Sequence, residues 1–152
     1  MEYPPLIPYL VVSDAASAIE FYKNAFGAVE LARHVAGDSG KISHAHVVIN
    51  GGSVMLSDDF SGMMGGTSMT PEALGGSPVT LHLVLDDVDA LWARAMGAGA
   101  AVTMELADQF WGDRYGQLVD PFGHRWSLGQ AKVQMSEEEV KKASKDFFEK
   151  LG

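Results

Sequence analysis

The chain is written twice, and that repeat limits its fold more than any other feature. Residues 6–12, LIPYLVV, and residues 79–85, VTLHLVL, are short aliphatic and β-branched runs of the kind that form strands. Each leads into an aspartate and a helical pattern. Asp14 offers an N-cap before Ala18, Ile19, Tyr22, Ala25 and Phe26, and Asp86 or Asp87 does so before Val88, Leu91, Trp92 and Ala95. Gly27 and Gly99 end the two helices. A shift of 72 residues superposes Val12 on Val84, Asp14 on Asp86, Ala18 on Ala90, Gly27 on Gly99 and Ala28 on Ala100. Strand-like runs follow in both copies: AVELARHVA, KISHAHVVI and SVMLSDD in the first, AAVTMELAD, YGQLVD and HRWSLGQ in the second. The turns Asn50-Gly51-Gly52 and Pro121-Phe122-Gly123 separate the last two strands of each set. Each half therefore reads β-α-β-β-β.

The first module spans 5–59 and the second 78–130, within one domain covering 1–152. Residues 60–77, rich in Gly, Ser and Met, read as a flexible connector. An alternative makes that segment a flap whose Met63, Met64 and Met69 touch an apolar ligand. Residues 135–151 form a C-terminal helix, opened by a Ser136/Glu139 capping box and carrying Val140, Ala143, Phe147 and Leu151 on one stripe. That stripe needs something to cover it, either this domain's edge or a second subunit.

The balance of 11 Lys+Arg against 20 Asp+Glu, a formal charge of −9, argues against a nucleic-acid partner. No apolar run approaches the ~20 residues that span a bilayer, so no membrane partner is expected. The N-terminal MEYPPLIPYLVV lacks the marks of a signal peptide, and the absence of cysteine removes disulfides, thiolate nucleophiles and cysteine metal sites. A cytoplasmic protein is the simplest expectation.

The segments PYLVVSDAASAIEFYKNAFGA, KISHAHVVINGGSVMLSDD, LGGSPVTLHLVLDDVDALWARAMGAGA and FWGDRYGQLVDPFGHRWSL resemble the vicinal oxygen chelate superfamily of glyoxalases, bleomycin-resistance proteins and dioxygenases. Within it they are most similar to the bacterial uncharacterised glyoxalase/bleomycin-resistance-like group. The resemblance implies an α+β fold in which two tandem βαβββ modules form curled half-barrels around a cavity, plus the C-terminal helix. It also implies a homodimer. In metal-dependent members, the first and last strands of both modules supply one ligand each. Carried onto this chain, those positions fall near Ile7, about Leu56, on Thr80 (or Val79) and on Ser127. None is His, Asp or Glu, so the resemblance implies no metal at the usual site and no cofactor.

Two other sources of chemistry remain. His44 and His46 lie two apart on one strand face, and His82 could complete a non-standard metal set with them. His82, two residues beyond Thr80, is the candidate catalytic group or polar anchor, and Tyr9, two beyond Ile7, also points inward. Phe110 and Trp111 are candidates for the cavity wall. DPFGHRW reads mainly as a turn that closes the fold, with His124 and Arg125 at the rim. Expected ligand contacts are thus Tyr9, Leu56, Thr80, His82, Phe110, Trp111 and Ser127.

The leading expectation is a metal-free protein that binds a small organic molecule in a sequestering or resistance role. The acidic charge favours a cationic ligand, helped locally by Asp58 and Asp59. The alternative is a glyoxalase- or lyase-like enzyme using His82, either with the histidine set on a metal or paired with Asp58. A third reading has the protein act chiefly through other proteins.

Overall fold

The computed structural model describes residues 2–152. The first module comprises β1 (Tyr9–Val12), α1 (Ala15–Phe26), β2 (Val29–Val35), β3 (Ile42–Ile49) and β4 (Gly52–Asp58). Two short helices, α2 (Ser61–Met64) and α3 (Pro71–Leu74), lie between the modules. The second module comprises β5 (Thr80–Val84), α4 (Val88–Ala98), β6 (Ala101–Asp108), β7 (Asp113–Val119) and β8 (Arg125–Ala131), and α5 (Glu137–Leu151) follows. The sheets run β1-β4-β3-β2 and β5-β8-β7-β6. In each, the first strand pairs parallel with the last and the other pairings are antiparallel. Neither sheet closes into a barrel. Among the described residues no helix is long and apolar enough to cross a membrane.

Local chemistry explains the repeat. Asp14 accepts from the Ser17 backbone N–H at the start of α1. At α4 the cap is Asp87, which accepts from Ala90 N–H, so α4 has 11 residues against 12 in α1 and the repeat slips by one there. Gly27 and Gly99 close the helices at φ 69° and 111°, in the left-handed region that favours glycine. A second device recurs at the end of each sheet. Asp58 on β4 accepts from the Ala15 N–H, the first residue of α1, and Gln130 on β8 accepts from the Val88 N–H, the first of α4. Both satisfy donors that a helix start leaves open.

The modules join through their helices and an aromatic core. Arg94 on α4 donates to the carbonyls of Lys23 and Asn24 at the C-terminal end of α1. Trp126 of β8 packs on Tyr22 and Phe26 of α1, with ring centroids 5.4 and 4.8 Å apart. Asp120, in the turn before β8, is 2% exposed and lies among these rings. It accepts from Tyr22 Oη (2.6 Å), Trp126 Nε1 (2.9 Å) and the backbone N–H groups of Phe122 and His124.

The connector is built rather than featureless. Asp59 accepts from the Ser61 N–H and from the Ser68 hydroxyl, which hold its carboxyl below the usual range. Thr70 caps α3, and Pro71 follows at a position where its missing N–H costs nothing. Pro71 also packs against the DPFG turn so closely that a Cβ on Gly123 would lie 2.5 Å from its ring. Asp58 and Asp59 are therefore committed to the scaffold. Asp58, also bonded by the Ile42 N–H, is in no position to pair with His82.

Asp120→Ala leaves four donors without their acceptor. Urea unfolding is expected to show a loss of about 4 kcal/mol. Tyr22→Phe should cost less in the Asp120→Ala background than in the parent, the mark of a direct interaction. Burial, reinforced by Asp120, pushes the Tyr22 phenol well above 10.0. The unfolded chain therefore releases that proton first, and stability should fall as pH rises past ~10. Alkaline unfolding of Tyr22→Phe should lack that component of the slope.

Candidate functional site

Strand register divides each sheet into two faces. In the first, Leu10, Val12, Ala45, Val47 and Leu56 are buried beneath α1. The other face carries Tyr9 opposite Met55, His46 also opposite Met55, and Val11 opposite Ser57. Leu56, expected at the ligand, is thus a core residue with no exposure. Its neighbours Met55 and Ser57 hold the open face, because one residue along a strand reverses the side. In the second sheet Leu83, Leu118, Trp126 and Leu128 are buried on the α4 side. Thr80, His82, Ser127, Gln117 and Tyr115 share the open face.

β1 and β5 are edge strands of their sheets, and hydrogen bonds bridge the seam between the two modules. His124 Nε2 lies 2.9 Å from the Val11 carbonyl, and Asn50 Nδ2 donates to the Val84 carbonyl at 2.6 Å. One pocket of about 410 Å³ includes Ser53, Thr80, His82 and Val84. Another, of about 530 Å³, includes Tyr9, Val11, Met69, Val79, His124 and Arg125. Met69 therefore reaches this pocket, and with Met64 it also borders a third, of about 310 Å³, whereas Met63 lines none of the three.

His82 sits in a shaped niche. Its Nδ1 is 2.8 Å from the buried Ser127 hydroxyl, and its ring centroid is 5.8 Å from that of Tyr115. Gln117 donates to the Tyr115 hydroxyl. A Cβ on Gly129 would stand 2.9 Å from His82 Cε1, so the ring occupies the space of a missing side chain. His82 Nε2 makes no hydrogen bond among the described residues.

The first module carries the same pair of side chains in exchanged positions. Tyr9 on β1 meets His44 on β3, with Oη 2.8 Å from Nδ1 and ring centroids 5.6 Å apart. In the second module the histidine is on β5 and the tyrosine on β7, the corresponding strands. Burial pushes the Tyr9 phenol up, with the Ser57 hydroxyl opposing. Burial, then the nearby His34 and His46, hold the His44 imidazole below 6.5 and so favour its neutral form. His34 and His44 lie opposite each other, ring centroids 5.5 Å apart. His46 is 2% exposed, with Nε2 at 3.0 Å from Ser53 Oγ and Nδ1 without a partner among the described residues.

The expected histidine set is not assembled. His44 and His46 share a face, but among the described residues no group of three or more His, Cys, Asp or Glu stands close enough to hold a metal ion. Nor do the donors on the open face of β1, β4, β5 and β8 fit the divalent ion that the resemblance places on the first and last strands of such modules. Those strands offer the phenol of Tyr9, the thioether of Met55, hydroxyls of Ser57, Thr80 and Ser127, and a single imidazole, His82.

Phe110 does not line either pocket. Its ring stacks on Phe147 of α5 at 4.9 Å, beneath the terminal helix. Trp111 stands edge-on to Tyr115 at 5.4 Å, one ring removed from His82. Asp113 begins β7, and Arg114 pairs with Asp89 and Asp108. Tyr115, Gln117 and Gly129 escaped the sequence reading, although the period of two on β7 and β8 predicts them once His82 is set opposite Ser127.

The sequence pattern of the glyoxalase/bleomycin resistance protein/dioxygenase superfamily matches residues 6–128. An uncharacterized protein of Mycobacterium bovis is 58% identical over 140 residues, 92% of this chain and 91% of its own length. The crystal structure of TioX from Micromonospora superposes with a TM-score of 0.63 at 27% identity, covering 88% of this chain and 100% of TioX. The fosfomycin resistance protein FosX of Listeria monocytogenes, in complex with Mn(II) and sulfate, shares the fold at TM-score 0.63 and 17% identity, over 95% of this chain and 99% of FosX. With its repeated βαβββ modules and this match along most of its length, the chain belongs to the glyoxalase/bleomycin resistance protein/dioxygenase superfamily.

Proposed function

We propose that the protein binds a small organic molecule along the seam between its two sheets, without a resident metal, in a sequestering or resistance role. The observation that carries this reading is the His82 niche. A glycine makes room for the ring, Ser127 takes one nitrogen, and the other is left for a ligand. Thr80 and His82 border the first pocket and Tyr9 the second, so the anchoring groups frame largely apolar walls. Trp111 contributes through Tyr115 rather than by direct lining.

The test is a small-molecule screen followed by intrinsic tryptophan fluorescence, on protein made without a histidine tag. A ligand that binds the parent should bind His82→Ala about tenfold more weakly, the worth of one hydrogen bond. Gly129→Ala, which keeps the histidine but displaces its ring, should weaken binding similarly. The protein should carry no stoichiometric metal and gain no thermal stability from Ni²⁺, Zn²⁺, Mn²⁺ or Fe²⁺. Stoichiometric metal lost in His82→Ala or His46→Ala would overturn the metal-free reading.

The same reading makes the protein a homodimer. On α5, Phe147, Phe148 and Leu151 are 41, 60 and 68% exposed, an apolar edge that a second copy would cover. Sedimentation velocity should give twice the 16.3 kDa chain mass, with Phe148→Glu moving the boundary toward the monomer. A parent protein that sediments as a monomer at every concentration would remove the dimer.

A further inference from the structure

The chain has four arginines, and three are committed. Arg33 pairs with Glu30, Arg94 bonds two carbonyls of α1, and Arg114 pairs with Asp89 and Asp108. Arg125 is the exception. Among the described residues its side chain makes neither an ion pair nor a hydrogen bond, although the chain holds 20 Asp+Glu against 11 Lys+Arg. It is half-buried, and it lies at the wall of the 530 Å³ pocket.

No acidic residue lines that pocket. Its apolar wall includes Val11, Met69 and Val79, and its other polar side chains are Tyr9, held by His44, with Ser77 and His124. Three acids of the adjoining turn and connector are engaged elsewhere. Asp58 and Asp59 serve backbone and hydroxyl donors, and Asp120 serves Tyr22, Trp126 and its own turn. A half-buried guanidinium in an acid-free apolar pocket lacks the counter-charge that such groups normally have. Its planar fork suits carboxylate, sulfonate or phosphonate oxygens.

We propose that this pocket takes a small organic anion, its apolar body against Met69 and Val79 and its acid group on Arg125. This deepens the small-molecule reading and rests on it. It also reverses the ligand charge expected from the acidic composition, because the local lining, not the net charge of the chain, determines what a desolvated site accepts.

The experiment uses two fluorescent probes with one body. 8-Anilinonaphthalene-1-sulfonate is anionic, and N-phenyl-1-naphthylamine is the same molecule without the sulfonate. Both are titrated into the parent, Arg125→Gln, Arg125→Lys and Val79→Trp, each checked by circular dichroism for a native spectrum. The anionic probe should bind the parent at least about tenfold more tightly than the neutral one. Arg125→Gln should erase that preference and leave the neutral probe unchanged. Arg125→Lys, with charge but no fork, should fall between them, and it decides the matter if the Gln variant does not fold. Val79→Trp, which fills the pocket from an exposed position, should exclude both probes. Equal affinity of the anionic probe for the parent and the Arg125 variants overturns the anion inference. If Val79→Trp still excludes both probes in that case, the small-molecule reading stands. Probes that fail to bind, or that ignore Val79→Trp, overturn the pocket itself.

Discussion

Asp120 is the group on which the relation between the two modules depends. It belongs to the second module's turn, yet one of its oxygens accepts from Tyr22 in the first module's helix and from Trp126 in the second module's last strand. Its other oxygen takes the N–H groups of Phe122 and His124, which fixes the turn itself. A single carboxyl thus sets both the shape of the turn and its distance from α1. The same turn presents His124 to the Val11 carbonyl and starts β8 with Arg125, so core and pocket are both held from one point. The cluster of polar residues in DPFGHRW is therefore chiefly scaffold, and among the described residues Arg125 is its member with no side-chain partner.

Much of this architecture was legible in the sequence, because repeat, turn and cap signals agreed with one another. Asn50 and Gly51 adopt φ 51° and 81°, the pair of positive values that the Asn-Gly turn demands. Ser136 and Glu139 form the reciprocal capping box that their spacing suggests. Of the two aspartates that could cap α4, Asp87 does so. The strand face of Leu56 was misplaced by one residue, which moves a side chain from the groove to the core, since a strand alternates at every step. The ordered connector was also readable in part. Thr70-Pro71 is a helix-start signal that the Gly and Ser around it obscured.

What stayed hidden depends on partners distant in sequence. Asp58 looks like a strand-end charge until the Ala15 and Ile42 N–H groups are seen on it. Arg125 looks like any basic residue of an acidic chain until its three counterparts are found paired. Net charge describes the long-range field around the molecule, whereas a pocket is described by the few groups that line it. Here the two descriptions have opposite sign.

The exchanged tyrosine and histidine have a consequence for direction. Tyr9–His44 and His82–Tyr115 occupy corresponding strands of two sheets that share one strand order. The side chains break that likeness. If a small molecule lies between the sheets as proposed, turning it end for end exchanges the phenol of Tyr9 for the imidazole of His82. The duplicated scaffold would then act as a polar ruler that tells head from tail, although its two halves share one plan.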